Sequence, residues 1–381
     1  MGDIVIIGGG FAGLEAARVL AKKRKILNNR RIIVVDSKPT FDFLPVLPDV
    51  SGSFVPRSHV TLDLRDHLEG LKVNFENDEV VRVDVKTREV FLRNNTVLVF
   101  EYLVVASGTG TNFYGMSEAQ RRALKLDSAQ DAAVVLNTVT TYPFKKILII
   151  GGGYTGVEIA SNLAALLRRR RIKKYSINII EKGDDILAVL PEWVKDYCRI
   201  NLSALRVSIF TQASLKEITD KSVTLSNGLI FEDYLLVWAA GVNTPSYVRQ
   251  LEVEKDGQGR LAVDPYLRFG ETCFAAGDSA AVKYGSGVLR MSVQFSLCEG
   301  RVAAVNILRM ISGKKRLVKY RPIDLGLLVP LANKKAAGYL LRVPVVGIFG
   351  WLCHYFMCIF RSRGLNNKSG ILFDCVKRLF L

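Results

Sequence analysis

Histidine is almost missing from this 381-residue sequence: His59, His67 and His354 are the only three. None stands at ligand spacing from another His or a Cys, so no metal site is expected. The six cysteines, Cys198, Cys273, Cys298, Cys353, Cys358 and Cys375, are irregularly spaced and form no CxxC pair. That excludes a redox dithiol of this type and, in a chain this long, argues against a disulfide framework. Proline is sparse, 11 against 31 Gly, which favours tight turns over rigid linkers. The first strand-like run begins at Asp3, so a signal peptide is not expected, and the reducing cytoplasm is the default compartment. Acids are also short: 36 Asp and Glu against 53 Lys and Arg, a formal net charge of +17. Such a balance points to an anionic partner, whether nucleic acid, acidic lipid or a phosphorylated ligand. The 49% hydrophobic and 23% charged fractions are ordinary for globular chains, and the length suggests two or three domains.

What is present is a repeated pattern. DIVII (3–7) reads as a buried parallel strand, GGGFAG follows, a helical run comes next, and RIIVVD ends a second strand at Asp36. The order recurs as KILII (146–150), GGGYTG, a helical run, and INIIEK with Glu181 closing the strand. Glycines Gly8, Gly10 and Gly13, and again Gly151, Gly153 and Gly156, let backbone N–H groups approach a pyrophosphate at a helix N-terminus. The closing acid accepts hydrogen bonds from a ribose. A simple tight turn would not require that acid, so both copies are read as dinucleotide sites. Glu181 suits the free 2′-hydroxyl of NADH better than the phosphate of NADPH, although Lys182 beside it softens the preference. Residues 79–100 alternate and turn at Asn94–Asn95, predicting antiparallel strands, and Asn227–Gly228 predicts a hairpin.

Beyond the glycines, FDFLPVLPDVSG (41–52), LVVASGTGTNFYGM (103–116), ALKLDSAQDA (123–132), GGGYTGVEIA (151–160), VWAAGV (237–242) and FAAGDSA (274–280) form a set. With it the chain resembles the two-dinucleotide-binding flavoproteins, and within them the type II NADH:quinone oxidoreductases, over most of residues 3–300. The resemblance implies an α/β fold of two interleaved Rossmann-like domains plus a small C-terminal membrane-binding region. The FAD domain would take 1–115 and 235–325, the NADH domain 116–234, and the membrane-attachment region 326–381. Gly8, Gly10, Gly13, Asp36, Gly108, Gly277 and Asp278 would hold FAD, and Gly151, Gly153, Gly156 and Glu181 would hold NADH. Glu158 would relay protons to a reduced quinone, or it is simply a helix-start carboxylate favouring the dipole. Glu15 occupies the equivalent place in the first copy. The family has two Gln four apart after the Gly-Asp motif; this chain keeps Gln294, a quinone-pocket candidate, and has Cys298 for the second. Cys298 is read as a small hydrophobe or as a redox group.

The implied activity is NADH oxidation with two-electron reduction of a membrane quinone, without proton pumping, in a homodimer on the cytoplasmic face of the membrane. Two rivals stand beside it. A sulfide:quinone oxidoreductase would need two Cys at the flavin and little of the second glycine motif. An NADH-sensing protein resembling apoptosis-inducing-factor relatives would use the positive charge to bind a partner.

The tail is distinct. From Lys314 onward thirteen Lys and Arg face two acids, Asp324 and Asp374. The uncharged run 343–360 is barely long enough for a bilayer and carries Pro344, Gly347, Gly350 and His354. The last segment places Ile371, Leu372, Cys375, Val376 and Leu379 on one helical face, with Asp374, Lys377 and Arg378 off it. A monotopic attachment is therefore expected rather than a span. RRRRIKK (168–174) reads first as a solvated patch and second as a lipid contact. No nucleic-acid module surrounds it, so nucleic acid is not an expected partner.

Overall fold

The computed structural model describes residues 2–141 and 146–380. The chain divides into two compact units. One comprises residues 1–41, 62–110 and 242–324, the other 42–61, 111–241 and 325–381.

In the first unit, Asp3–Ile7 pairs in parallel with Ile32–Val35 on one side and with the long strand Val97–Val105 on the other. Asn74–Glu76 and Cys273–Ala275 extend the parallel sheet. The strand Val97–Val105 also starts an antiparallel meander with Glu89–Leu92 and Val80–Asp84. Its two ends therefore serve different pairings. The central strands Asp3–Ile7 and Ile32–Val35 are Val- and Ile-rich because they are buried on both faces. Two helices, Phe11–Ala21 and Val293–Ile311, pack together where Gly300 lets the backbones meet. A Cβ on Gly300 would lie 2.1 Å from the Ala12 carbonyl oxygen.

The second unit repeats the plan with four parallel strands in the order Val207–Phe210, Ser176–Ile180, Lys146–Ile150 and Tyr234–Trp238. The Asn227–Gly228 turn joins Ser222–Leu225 to Ile230–Glu232, with Gly228 at φ 86°. The C-terminal segment belongs to this unit. Its antiparallel strands Gly326–Leu331, Lys335–Leu340 and Val343–Val346 place Val329, Leu331 and Ala337 in one core with Val157, Leu163 and Ile179.

The apolar run 343–360 does not form one helix. Val343–Val346 is an edge strand, and the helix Gly347–Arg361 starts at a glycine with φ 71°. β-Branched residues and a proline suit an edge strand better than a helix interior. Among the described residues, no helix is long and apolar enough to cross a membrane. The last helix, Leu365–Phe380, is amphipathic in an unexpected sense. Asp374 and Arg378 lie on its buried face with Ile371 and Cys375, while Leu372, Phe373, Val376 and Phe380 face outward.

Candidate active site

The two glycine turns have the same construction. Gly8 and Gly151 both sit at φ 106°, where a Cβ would collide with the carbonyl oxygen of Ala106 or Ala239. Gly13 and Gly156 let their helices start close: a Cβ on either would lie 1.9 Å from the carbonyl of Gly8 or Gly151. Gly10 and Gly153 face open space. A side chain there would enter the room a pyrophosphate needs, so both turns fit a dinucleotide. The closing acids do a second job. Asp36 accepts from the Gly9 N–H at 2.7 Å and the Lys38 N–H at 2.9 Å. Glu181 accepts from Gly152 at 2.6 Å and Gly183 at 2.7 Å. Each acid thus ties its strand end to its own turn.

In the first unit, the other flavin candidates gather at the same helix. Gly277, at φ 68°, lies against Ala12 at the helix start; a Cβ there would be 3.1 Å from the Ala12 Cβ. Gly108 donates its N–H to Ser279 Oγ at 2.9 Å and faces open space. Asp278 is half-buried, and desolvation pushes its carboxyl up to about 6 against the pull of Arg260. Glu299, which sequence reasoning passed over, is buried in the helix Val293–Ile311 and accepts the Gly277 N–H at 2.7 Å. Burial pushes its carboxyl up to about 8. Gln294, at the start of that helix, is buried and donates to Asp324 Oδ1 at 3.1 Å. Asp324 also receives Arg290 at 2.7 Å. Cys298 is an exposed free thiol.

Glu15 and Glu158, equivalent in sequence, have opposite surroundings. Glu15 is held by Arg18 at 2.6 Å and Arg301 at 3.0 Å. Glu158 has no cation partner among the described residues. Burial pushes its carboxyl well above the usual range, and the Asp49 charge pushes the same way. Both effects favour the protonated form of the carboxyl over the carboxylate.

Asp49 itself anchors the C-terminal helices. Its Oδ1 accepts from Tyr355 Oη and Arg378 Nη1, both at 2.6 Å. The Arg378 guanidinium lies 3.7 Å over the Phe54 ring. His354, on the same helix as Tyr355, is pushed down to about 4 by burial and sits 3.4 Å from Cys358 Sγ. On the same buried face of the last helix, one turn before Arg378, Asp374 pairs with His59 at 2.7 Å. Sequence reasoning missed this cluster because its members are more than 300 residues apart. The one available signal was a pair of opposite charges, Asp374 and Arg378, spaced one helical turn apart in the last helix.

Residues 2–299 match the pyridine nucleotide-disulphide oxidoreductase family. The chain belongs to that family. It is 29% identical to the demethylphylloquinone reductase NdbB of Synechocystis sp. over 338 residues, 84% of this chain and 82% of the relative. It is 24% identical to the type II NADH:quinone oxidoreductase of Haemophilus influenzae, covering 89% of this chain and 87% of that one. Its fold is that of NDH2 from Plasmodium falciparum, solved in complex with NADH. The TM-score is 0.87 at 16% identity, and the match covers 100% of this chain and 98% of the other.

Proposed function

We propose that this chain is a FAD-dependent enzyme that oxidises NADH and reduces a quinone by two electrons, without pumping protons. The observation that carries the reading is the duplicated turn, built the same way in two units and closed by an acid in each. One dinucleotide site suits a resident flavin and the other an exchanging nicotinamide. Bound FAD supplies the relay between a hydride donor and a quinone acceptor.

The chain's own residues bind, orient and hold protons. Gly8, Gly10, Gly13 and Asp36 hold the FAD pyrophosphate and adenosine ribose. Gly108, Gly277 and Asp278 hold the rest of the cofactor, with Glu299 fixing the Gly277 turn. Gly151, Gly153, Gly156 and Glu181 hold NADH, and the Glu181 carboxylate disfavours the NADPH phosphate. Gln294 orients the quinone, its amide steadied by Asp324. Glu158, whose proton affinity is raised by burial and by Asp49, delivers a proton when the quinone is reduced.

The helices Gly347–Arg361 and Leu365–Phe380 attach the protein to a membrane surface from the cytoplasmic side. Phe349, Phe356, Phe360, Phe373 and Phe380 all face outward, an apolar surface that a monomer leaves uncovered in water. The same family resemblance supports a homodimer, which a sedimentation measurement in detergent would test.

The flavoprotein is mixed anaerobically with NADH, NADPH or sulfide while the visible flavin band is followed. Fast bleaching by NADH, followed by reoxidation with quinone, is the expected result. Bleaching by sulfide instead would overturn the reading in favour of Cys298 chemistry.

A further inference from the structure

The basic run at the end of the helix Tyr154–Arg169 is not an isolated patch. Arg168, Arg170, Arg171, Lys173 and Lys174 are exposed. None has a carboxylate partner among the described residues. Arg169 is different. Its guanidinium lies 3.8 Å over the Phe54 ring and donates to the Gly52 carbonyl at 2.5 Å. Phe54 also carries Arg378, from the last turn of Leu365–Phe380, at 3.7 Å. One ring thus takes two guanidinium groups, one from each helix end. The pair ties the basic run to the end of the last helix, where Val376 and Phe380 are exposed. Ile172, within the run, is exposed as well.

We propose that residues 168–174 form a second membrane contact, one that binds the headgroups of anionic lipids beside the apolar helix face. The inference rests on the membrane attachment proposed above and adds a lipid preference to it. The apolar face supplies insertion and has no preference for headgroup charge. Unpaired guanidinium and ammonium groups at its border supply the preference. They attract a negatively charged surface over about a Debye length, roughly 10 Å at 0.1 M salt. Each basic side chain held near such a surface strengthens binding about fivefold. Arg169 is withheld from lipid by Phe54 and Gly52 and serves as the fastening.

The test uses the flavin-loaded full chain and sedimentation with two kinds of vesicle, pure phosphatidylcholine and phosphatidylcholine with phosphatidylglycerol. The variant carries Arg168→Gln, Arg170→Gln, Arg171→Gln, Lys173→Gln and Lys174→Gln, and retains Arg169. Flavin content and bleaching by NADH report that it is folded. The wild type should bind the anionic vesicles more tightly, and added salt should erase the difference. The variant should bind neutral vesicles like the wild type and lose at least about tenfold on anionic ones. An equal anionic preference in both proteins would overturn the proposal. Tighter binding of the wild type to a duplex oligonucleotide than to anionic vesicles, abolished in the variant, would overturn it in favour of nucleic acid. A wild type that ignores neutral vesicles but binds anionic ones through this run would sink the apolar attachment and leave the present inference standing.

Discussion

Glu15 and Glu158 occupy the same place in two copies of one motif, yet only one of them is an ion-pair member. Two arginines hold Glu15. Glu158 is desolvated and feels the Asp49 carboxylate, and both raise its proton affinity. Glu158→Gln should leave bleaching of the flavin by NADH intact and slow quinone reduction about a hundredfold, within the usual range for loss of a general acid. The wild-type rate should fall as pH rises through the raised Glu158 ionisation, and the variant should lack that limb. Unchanged quinone kinetics would make Glu158 a structural carboxylate. Glu299 permits a cleaner titration. Its carboxyl, pushed up to about 8 chiefly by burial, is opposed by the Gly277 N–H and Arg260 and reinforced by Asp278. The folded protein holds this proton after the unfolded chain has released it. Stability is therefore full below the ordinary glutamate range and declines as pH rises toward 8, by up to about 1.4 kcal/mol per pH unit. Glu299→Gln keeps an oxygen for Gly277 and cannot ionise. Its melting temperature should be flatter than that of the wild type between these limits. The motif position of Glu158 was legible in the sequence, and that of Glu299 was passed over. The ionisation of neither was legible, because it depends on Asp49, Asp278 and Arg260, residues remote along the chain.

At the scale of elements, the legible parts were those encoded by short-range pattern. Both glycine turns, the meander at 79–100 and the Asn227–Gly228 hairpin follow from local chemistry. The last helix did not, because its apolar residues wrap two sides. Ile371 and Cys375 pack inward, and Leu372 and Val376 face out. What decides the side is Asp49, which draws Arg378 under the surface, with Tyr355 completing the bonds. A buried guanidinium is costly unless matched, and removing one partner leaves the other charge uncompensated. Arg378→Met should destabilise the second unit by about 3–5 kcal/mol. The double variant with Asp49→Asn should recover a large part of that loss. Denaturant melts of the single and double variants measure the coupling. A double variant no more stable than Arg378→Met would mean that packing on Phe54 and Trp351, rather than the ion pair, holds the helix.

For the whole molecule, the C-terminal segment is both a core element and an outward surface, and this dual role governs how attachment can be tested. Val329, Leu331 and Ala337 fill the core of the second unit, and Tyr355 and Arg378 cover Asp49. These long-range contacts are why its membership in that unit could not be read from composition or charge. Deleting the segment would expose that core, so loss of membrane binding by a truncated chain would prove little. Substitutions confined to the outer face separate the two roles. Phe356, Phe360, Phe373 and Phe380 are 67%, 70%, 66% and 87% exposed and contribute little to folding. Inserted in lipid, each fully covered Phe would gain roughly 1.5–3 kcal/mol. Replacing all four with Ser should move the protein to the soluble fraction while flavin content and bleaching by NADH stay near wild type. Turnover with a short, water-soluble quinone should persist, and turnover with a long-chain quinone confined to vesicles should fall at least about tenfold, because the enzyme no longer dwells where that substrate is dissolved. Equal loss with both quinones would place the four rings at the reaction itself, and continued association with uncharged phosphatidylcholine vesicles would refute the apolar attachment.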